Sequence, residues 1–512
     1  MAKAYYITTP IYYVNDSPHI GHAYTTLACD VIARFKRLDG YDVHFLTGTD
    51  EHGQKVEKAA AEAGVLPKNF TDQVSETFRL LPAALNFSND DFIRTTEPRH
   101  IRATQAIWNA LLDAGDIYLG SYAGWYAVRD EAFYTESELK KRKDGTRVAP
   151  SGAEVEWVEE PSYFFKLSEW QNRLLEFYKA NPDFIQPVSR RNEVVSFVKG
   201  GLKDLSVSRT TFKWGVPVPN DNTHIMYVWL DALTNYVTAV GYPDCDSVMF
   251  QKFWPADLHM VGKDIVRFHA VYWPAFLMAA GIQPPKRVFA HGWWTNEGEK
   301  ISKSLGNVID PLQLVEAYGL DPVRYFLLRE VPFGNDGDFS HAAMTHRMNG
   351  DLANDLGNLC QRVLSMVNKN CDAQVPKHGT FDAADKALMD KAQRLLSSLR
   401  AIIDEQAFHN ALGAIWEVIG DANRYVDAQA PWALRKSEPA RMETVLYTLI
   451  ETIRRLVLLV QPFMPDASAN ILDQLSVPED ERSFNNMKSV LVVGQGLPKP
   501  SPVFPRFVAD QE

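Results

Sequence analysis

The sequence has few cysteines, no long apolar run and no excess of positive charge. Its four cysteines, Cys29, Cys245, Cys360 and Cys371, are not paired at close spacing, which argues against a disulfide framework and against a zinc knuckle built from them. We therefore expect them to be buried thiols. The longest nearly apolar run, residues 270–282, is shorter than the roughly 20 residues that a transmembrane helix requires. No membrane span is expected.

The net charge of −11 disfavours unspecific binding to nucleic acid, because the phosphate backbone favours proteins with excess lysine and arginine. Any RNA partner must then be bound by local patches. The first 13 residues carry one lysine followed by threonine and proline, which is unlike a secretory signal peptide. We therefore expect a cytoplasmic protein. A chain of 512 residues exceeds what one hydrophobic core supports, so two to four domains, or about 150 residues each, are predicted.

The N-terminal pattern predicts a strand at residues 5–8, a helix at 20–38 and a strand at 43–46, followed by a turn at 47–50. Such a unit is typical of a nucleotide-binding α/β domain, whose ligands bind beyond the carboxyl ends of parallel strands. The sequence pattern of the next region predicts short aromatic strands and a charged hairpin at 140–147. Further along the chain, long helical periodicities occur at 387–403, 411–428 and 445–460. We predict a parallel-sheet domain at 1–115 and 226–345, an inserted domain at 116–225 and an α-helical bundle at 346–512.

The first motif, Pro-His-Ile-Gly-His at residues 18–22, follows the first strand and opens the first helix. Asp16 or Ser17 can cap that helix, whose exposed N–H groups favour an anion. His19 and His22 share one helical face and can donate hydrogen bonds to triphosphate oxygens, while Gly21 leaves room for a ligand. The alternative is a capped helix with two ordinary surface histidines.

The second motif is Lys-Ile-Ser-Lys-Ser at residues 300–304, flanked by Gly298 and Gly306. Two lysines and two hydroxyl groups on a loop with glycine hinges can form a mobile cationic clamp for pyrophosphate. The alternative is a solvated basic loop.

In this order and at this distance, the two motifs resemble the HIGH and KMSKS signatures of class I aminoacyl-tRNA synthetases. The second motif has isoleucine where methionine is commonest. Residues 9–15, 47–53, 227–232, 262–269 and 291–294 resemble the methionyl-tRNA synthetases in particular. The resemblance implies a Rossmann-like catalytic domain interrupted by a connective domain, and an α-helical anticodon-binding domain. It also implies activation of L-methionine with ATP and Mg2+, followed by loading of tRNA(Met) with the CAU anticodon, initially at a 2′-hydroxyl group.

The resemblance further implies roles for individual residues. The groups that stabilise the transition state are implied to be His19, His22, Lys300 and Lys303. The ATP-binding residues are implied to be Gly21, Asp264, His291, Ser302 and Ser304. Asp50 is implied to pair with the substrate ammonium group, and the methionine side chain is implied to be enclosed by Ile11, Trp229, Ala232, Tyr236, Ile265 and His269. A thioether is apolar and polarizable, so aromatic walls suit it, and Tyr236 or His269 can supply one polar contact.

Three residues of the helical region, Asn358, Arg362 and Trp432, are implied to recognise the anticodon. An exposed tryptophan can stack on an unstacked base, and asparagine and arginine can read base edges. The alternative is a helix surface with a partly buried tryptophan. Arg209 is implied to lie near the ATP or the adenylate, although it can also be an ordinary surface arginine.

One departure from the family concerns zinc. Many relatives carry a zinc knuckle in the inserted domain, with cysteines after a Gly-Trp-Tyr stretch and in a Cys-Pro-x-Cys turn. Here the corresponding segments are Gly-Trp-Tyr-Ala-Val at residues 124–128 and Ala-Pro-Ser-Gly at residues 149–152. The thiolate ligands are absent, so we expect a zinc-free insertion. The aromatic residues expected to shape it are Trp157, Tyr163, Phe164 and Phe165.

Two alternative functions stay open at this point. One is a class I synthetase for another amino acid, although a cysteine enzyme would need a zinc thiolate site and branched-chain enzymes carry a longer editing insertion. The other is a catalytically idle relative that binds tRNA or a protein. The sequence ends soon after the helical bundle without an appended oligonucleotide-binding domain, so a monomer is expected.

Overall fold

The structure, a computed structural model, describes residues 2–14, 17–130, 132–134, 136, 138–142, 144–301 and 307–508. The chain divides into two compact units. The sheet unit comprises Ala4–Pro18 and His44–His291, and the helical unit comprises Met1–Lys3, His19–Val43 and Gly292–Glu512. Among the described helices, none is both long and apolar enough to cross a bilayer.

Most strands of the described residues lie in the first 300 positions of the chain. In chain order they are β1 (Ala4–Thr8), β2 (Tyr12–Tyr13), β3 (Asp42–Asp50), β4 (Asp91–Arg94), β5 (Ile117–Ala127), β6 (Ala132–Tyr134), β7 (Lys140–Lys141), β8 (Arg147–Val148), β9 (Glu156–Phe165), β10 (Ile185–Gln186), β11 (Leu205–Ser206), β12 (Ser208–Arg209), β13 (Pro217–Val218), β14 (Asp221–Met226), β15 (Leu258–Gly262), β16 (Val288–His291), β17 (Trp294–Asn296), β18 (Glu299–Lys300) and β19 (Gly337–Phe339).

The long helices are concentrated in the last third. In chain order the α-helices are α1 (Ile20–Leu38), α2 (Gln54–Glu62), α3 (Pro67–Ala84), α4 (Pro98–Asp113), α5 (Gln171–Ala180), α6 (Val188–Lys199), α7 (Val228–Leu233), α8 (Asn235–Thr238), α9 (Val248–Phe253), α10 (Trp273–Ala279), α11 (Pro311–Tyr318), α12 (Leu320–Arg329), α13 (His341–Arg347), α14 (Asn358–Asn370), α15 (Ala383–Asp404), α16 (Phe408–Gln429), α17 (Pro431–Ser437), α18 (Pro439–Val460) and α19 (Pro465–Gln474). Two π-helical segments, Phe268–Tyr272 and Met348–Gly357, interrupt this pattern.

A parallel sheet organises the sheet unit, as predicted. Its strands follow the order β10-β16-β15-β1-β3-β2, and β4 also pairs with β3. The pairs β1/β15, β15/β16 and β3/β4 are all parallel. The predicted turn at residues 47–50 is wrong, because β3 continues to Asp50. Gly48 permits this close pairing, since a Cβ atom there would lie 2.0 Å from the backbone oxygen of Ile93 on β4.

The region between Ile117 and Phe165 forms an antiparallel sheet separate from the parallel one. Strands β5 and β9 pair from Ile117 opposite Phe165 to Tyr126 opposite Glu156, and β6 and β11 flank them. Phe165 is fully buried, whereas Trp157 is 56% exposed and packs edge-on against Trp125. Of the aromatic residues expected to shape the insertion, Trp157 therefore contributes mainly to its surface. The predicted charged hairpin is present as β7 and β8.

Helical periodicity predicted the helical unit well. The segments predicted at 387–403, 411–428 and 445–460 lie inside α15, α16 and α18, and the first helix has the predicted limits. Within this unit the buried carboxylate of Asp30 on α1 accepts a 2.6 Å hydrogen bond from Arg324 on α12. The chain is thus of the predicted α/β class with a helical C-terminal region.

The cysteines follow the expectation only in part. Cys29 and Cys360 are buried, but Cys245 and Cys371 are half-buried. All four thiols are free. Burial raises the pKa of Cys29 well above its usual value, so its thiol stays neutral.

Candidate functional site

Several of the predicted ligand-binding residues lie where parallel strands of the sheet unit end. Asp50 is the last residue of β3, and His291 is the last residue of β16. Gly262, at the end of β15, pairs with His291, and Asp264 lies two residues further along the chain. Ligands of open parallel sheets bind at this edge. The carboxyl edge thus carries the carboxylate of Asp50 and polar side chains at the place where such sheets bind ligands.

The predicted side-chain pocket contains a buried hydrogen-bonded pair, Tyr236 and His269. The tyrosine hydroxyl lies 2.7 Å from Nε2 of His269, and Nδ1 of the same ring lies 3.0 Å from the carbonyl oxygen of Ile265. Burial lowers the pKa of His269 to about 4, so the imidazole is neutral near pH 7. Because a carbonyl only accepts, Nδ1 carries the proton and Nε2 accepts from the tyrosine hydroxyl. The Tyr236 hydroxyl group and Nε2 of His269 therefore form a neutral donor–acceptor pair.

A second buried histidine, His259 on β15, packs against the tyrosine of this pair. Its ring is stacked on that of Tyr236, with centroids 4.1 Å apart. The indole N–H of Trp273 donates to Nε2 of His259 over 3.3 Å, so Nδ1 carries the proton and donates to the Thr8 hydroxyl oxygen over 2.8 Å. Burial lowers the pKa of His259 well below its usual value. Sequence reasoning missed this residue, because an isolated histidine in a strand has no distinctive spacing.

An aromatic stack includes Trp229, another residue of the predicted pocket. Trp229 lies flat against Phe268, with ring centroids 3.4 Å apart and an interplanar angle of 7°. Ile11, Trp229 and Ile265 are partly buried against the hydrophobic core that includes Tyr236. Ala232, on the same helix α7 as Trp229, is buried. Phe268 was not predicted, although it lies within the 262–269 stretch. It begins the π-helical segment that carries His269, and such segments often occur at functional sites.

The two histidines of the first motif cap helix α1 themselves. Nδ1 of His19 accepts from the backbone N–H of Gly21 over 3.0 Å, and Nδ1 of His22 accepts from the backbone N–H of His19 over 3.1 Å. The expected cap by Ser17 is therefore wrong, and Asp16 lies outside the described residues. Because each Nδ1 accepts, each neutral ring carries its proton on Nε2. Burial, reinforced by His19, lowers the pKa of His22 well below its usual value.

Gly21 is required by this cap. A Cβ atom on Gly21 would lie 2.9 Å from Cε1 of His19, so a larger residue would push the histidine ring out of its capping position. Glycine at this position therefore has a structural role in the helix cap, in addition to the ligand-binding role predicted for it.

The second motif falls largely outside the described part of the chain. Ser302, Lys303 and Ser304 are not among the described residues, and of Lys300 only the backbone is described, as the end of β18 paired with Thr295. The roles predicted for these four residues stay predictions.

Arg209 is not a surface arginine. Only 2% of its surface is exposed, and its guanidinium carbon lies 3.8 Å from the ring centroid of Tyr227. Its Nη1 donates to the Ser206 hydroxyl oxygen over 2.6 Å, and its Nε lies 3.7 Å from a carboxylate oxygen of Glu160. The alternative of an ordinary surface arginine is therefore wrong.

The three residues predicted to read the anticodon lie close to one another in the helical unit. Asn358 is exposed at the start of α14, and Arg362 lies one turn later. The guanidinium carbon of Arg362 lies 5.7 Å from the ring centroid of Trp432, and Nη2 is held 2.8 Å from a carboxylate oxygen of Asp427. Trp432 is 50% exposed on α17, immediately after a left-handed turn at Ala430. The surface therefore presents a half-exposed indole beside a guanidinium group.

The positions where relatives carry zinc-binding cysteines do not fit zinc. Ala127, Ala149 and Ala153 are buried and form a small hydrophobic cluster, with Tyr134 and Val155 packed against it. The described residues contain no group of three or more histidine, cysteine or acidic side chains that could hold a metal ion. Ala127 and Ala149 offer only methyl groups, and Gly152, at the end of the turn, has no side chain, so these positions supply no zinc ligand.

The chain matches known families over nearly its whole length. Residues 5–364 match the profile of the family described as tRNA synthetases class I (M). Residues 375–512 match the anticodon binding domain of methionyl tRNA ligase. Together with the parallel sheet and the two histidines that cap α1, these matches define a class I aminoacyl-tRNA synthetase.

Individual relatives specify the amino acid. The methionine–tRNA ligase of Brucella suis is 59% identical over 511 residues, covering 100% of this chain and 99% of its own, and that of Rickettsia bellii is 58% identical. A structure of Mycobacterium tuberculosis methionyl-tRNA synthetase in complex with methionyl-adenylate is 56% identical, with a TM-score of 0.96, and the alignment covers 98% of this chain and 100% of that one. The chain belongs to the methionyl-tRNA synthetase family.

Proposed function

We propose that this chain activates L-methionine with ATP to methionyl-adenylate and then transfers the methionyl group to tRNA(Met) with a CAU anticodon. The observation that carries the proposal is the set of side chains at the carboxyl edge of the parallel sheet and on the neighbouring α7 and π-helical segments. There an apolar aromatic lining and a neutral Tyr236–His269 pair accompany Asp50 at the carboxyl end of the sheet. This combination suits a substrate with an ammonium group and a thioether. The adenylate bound by the Mycobacterium tuberculosis relative supports it.

The reaction needs no protein nucleophile. The methionine carboxylate attacks the α-phosphorus of ATP, a new P–O bond forms, and the bond to the pyrophosphate oxygen breaks. A ribose hydroxyl group at the 3′ end of the tRNA then attacks the acyl carbon, and AMP leaves. The chain therefore acts by positioning its substrates and by stabilising charge on the phosphates.

The charge-stabilising groups are proposed to be His19, His22, Lys300 and Lys303. Because Nδ1 of each ring accepts a backbone N–H group at the start of α1, a neutral ring carries its proton on Nε2, and an imidazole N–H group is a suitable donor to phosphate oxygens. Gly21, Asp264, His291, Ser302 and Ser304 are proposed to bind ATP. Buried Arg209 is proposed to act near the adenylate.

Magnesium is proposed to enter with the nucleotide. This ion is usually bound through one or two carboxylates, water and substrate phosphates rather than through a protein cage. Its chemistry would be to neutralise charge on the triphosphate.

Asn358, Arg362 and Trp432 are proposed to bind the anticodon. The half-exposed indole offers a stacking surface, and the adjacent guanidinium group can donate to a base edge. We further propose a cytoplasmic monomer with catalytic halves at 1–115 and 226–345, a zinc-free connective domain at 116–225 and an anticodon-binding domain at 346–512.

Methionine-dependent ATP–pyrophosphate exchange tests the proposed pocket. We expect exchange with methionine and not with valine or cysteine, and we expect Asp50→Ala to abolish it. Loss of a buried charge pair typically costs about 2 to 5 kcal/mol, or about 30-fold to several thousandfold in kcat/KM.

Asp42→Ala is a matched control, since Asp42 begins the strand that Asp50 ends. It should leave the kcat/KM for methionine within about twofold. Exchange supported by another amino acid would refute the substrate, absence of exchange with every amino acid would show an idle relative, and an active Asp50→Ala variant would refute the ammonium site.

A further inference from the structure

A buried carboxylate, Asp231, joins two histidines from distant parts of the sheet unit. It lies on α7 and is 0% exposed. Its Oδ2 lies 2.7 Å from Nδ1 of His52, and its Oδ1 lies 2.8 Å from Nε2 of His100. His52 belongs to the segment that follows β3, and His100 belongs to α4. Three separate segments of the chain therefore meet at one negative charge.

The charge is stable in this position. Burial would raise the pKa of Asp231, but His52 and His100 together lower it to about 2, so the carboxylate is ionised throughout the working pH range. Replacing such a buried polar cluster with apolar side chains of similar volume is often neutral or stabilising in other proteins. Stability alone therefore gives little reason for a charge here, which points to a positional role.

The neighbours of Asp231 and His52 in sequence are the proposed methionine-binding residues. Asp231 lies between Trp229 and Ala232, which line the side-chain pocket, whereas His52 is two residues after Asp50, the proposed partner of the ammonium group. The ammonium partner and the pocket wall thus stand on different segments. The hydrogen bond between His52 and Asp231 connects those segments directly.

The residue between Asp50 and His52 is anchored as well. The carboxylate of Glu51 accepts hydrogen bonds from Nε and Nη2 of Arg94 over 2.6 and 2.9 Å, and its backbone oxygen accepts from the indole N–H of Trp214 over 2.6 Å. With Glu51 and His52 both held, the end of β3 has little freedom to shift. The hydrogen bond between His52 and Asp231 then links α7 to this anchored strand end.

We propose that Asp231 is a positioning residue for methionine, which sets the distance between Asp50 and the Trp229–Ala232 wall through its hydrogen bonds to His52 and His100. This inference rests on the proposed function of that pocket. Asp231 does not touch the substrate. Misplacement of binding groups by about 1 Å can reduce an enzymatic rate by about a hundredfold, so a connection of this kind affects how well a substrate fits.

The test is Asp231→Asn in ATP–pyrophosphate exchange. The amide keeps the size of the side chain but replaces one acceptor oxygen with a donor that faces a histidine N–H. We expect the KM for methionine to rise by about tenfold or more, while the KM for ATP changes by less than about twofold. A variant that is merely less stable would lose active enzyme and lower the apparent kcat without this split.

Asp385→Asn is the matched control. Asp385 is also 0% exposed and accepts hydrogen bonds from Arg441 and Tyr425, but it lies in the helical unit on α15. It should lower the melting temperature and leave the KM for methionine unchanged. An equal rise in that KM for both variants would overturn the positioning role.

The histidines provide a second test if Asp231→Asn does not fold. His52→Asn and His100→Gln keep an N–H group near the position of the original ring nitrogen, whereas His52→Ala and His100→Ala remove it. We expect the KM for methionine to rise in the alanine variants and to stay closer to the original value in the amide variants. Equal KM values in the two sets would overturn the proposal.

Asp50→Ala separates failure of this inference from failure of the proposed pocket. If Asp50→Ala leaves exchange unchanged, the pocket assignment is wrong and the inference falls with it. If Asp50→Ala abolishes exchange and the KM for methionine of a folded Asp231→Asn variant is unchanged, only the positioning role is refuted.

Discussion

Trp432→Ala should separate tRNA recognition from amino acid activation. The indole is half-exposed and lies 5.7 Å from the guanidinium carbon of Arg362. Loss of stacking on one aromatic side chain costs about 1 to 3 kcal/mol, which corresponds to about fivefold to 150-fold in tRNA affinity. We therefore expect the kcat/KM for aminoacylation of tRNA(Met) to fall by this factor. Methionine-dependent pyrophosphate exchange should stay within about twofold of the original rate.

The structure also limits the loss of stability in this variant. Truncation of a fully buried tryptophan to alanine typically costs about 3 to 5 kcal/mol. Because half of the Trp432 side chain is already exposed, about half of that cost, or about 2 kcal/mol, is expected. Trp416 on α16 is the matched comparison, since it is 9% exposed and its indole N–H donates to the backbone oxygen of Asp351. Trp416→Ala should approach the full cost.

Trp432→Phe completes the design, because phenylalanine keeps an aromatic surface for stacking. It should retain most of the aminoacylation activity that Trp432→Ala loses. The reasoning would be refuted by a Trp432→Ala variant that charges a CAU tRNA normally. It would also be refuted if Trp432→Ala and Trp416→Ala had equal melting temperatures and equal charging defects, since Trp432 would then act only as part of the core.

Two further predictions concern zinc and pH. Elemental analysis of the purified chain should find no stoichiometric zinc, and chelators should not change its melting temperature, because Ala127, Ala149 and Gly152 supply no ligand at the knuckle positions. One zinc per chain would refute this. The folded-state pKa of His269, about 4, lies below the ordinary 6.5, so between these values the unfolded chain binds a proton that the folded chain does not. The free energy of unfolding should therefore fall by about 3 kcal/mol as the pH drops from 6.5 to about 4. Denaturant unfolding of His269→Gln should show a smaller fall over the same pH range. A variant with the same pH dependence as the original chain would contradict this prediction.

The helices and the parallel sheet were predicted correctly from local sequence patterns, whereas one turn was not. The limits of α1 and the long helices of the bundle follow from hydrophobic periodicity, which depends only on residues within a few turns of one another. The parallel sheet follows from alternating strand and helix patterns. The turn predicted at residues 47–50 failed because threonine and glycine also occur in strands. At Gly48 the deciding factor is contact with Ile93, which is distant in sequence.

In the candidate site too, local features were predicted from the sequence and tertiary contacts were not. Its residue types and order were visible in the motifs, so Asp50, Tyr236 and His269 could be predicted as binding residues from the sequence alone. The contribution of His259, the stack of Phe268 on Trp229 and the burial of Arg209 were not, since each depends on which segments meet in space.

The sequence by itself determined the family, the helices and the chemical groups available for binding methionine, ATP and tRNA, because these are recorded in local spacing and in motifs. Only the tertiary structure decided the protonation of those groups and their mutual contacts. Nε2 of His269 accepts from the hydroxyl group of Tyr236, which is 33 residues away in the chain, and His269 is neutral because it is buried. Desolvation and hydrogen bonding act through space between residues far apart in the chain, so no local pattern can specify them.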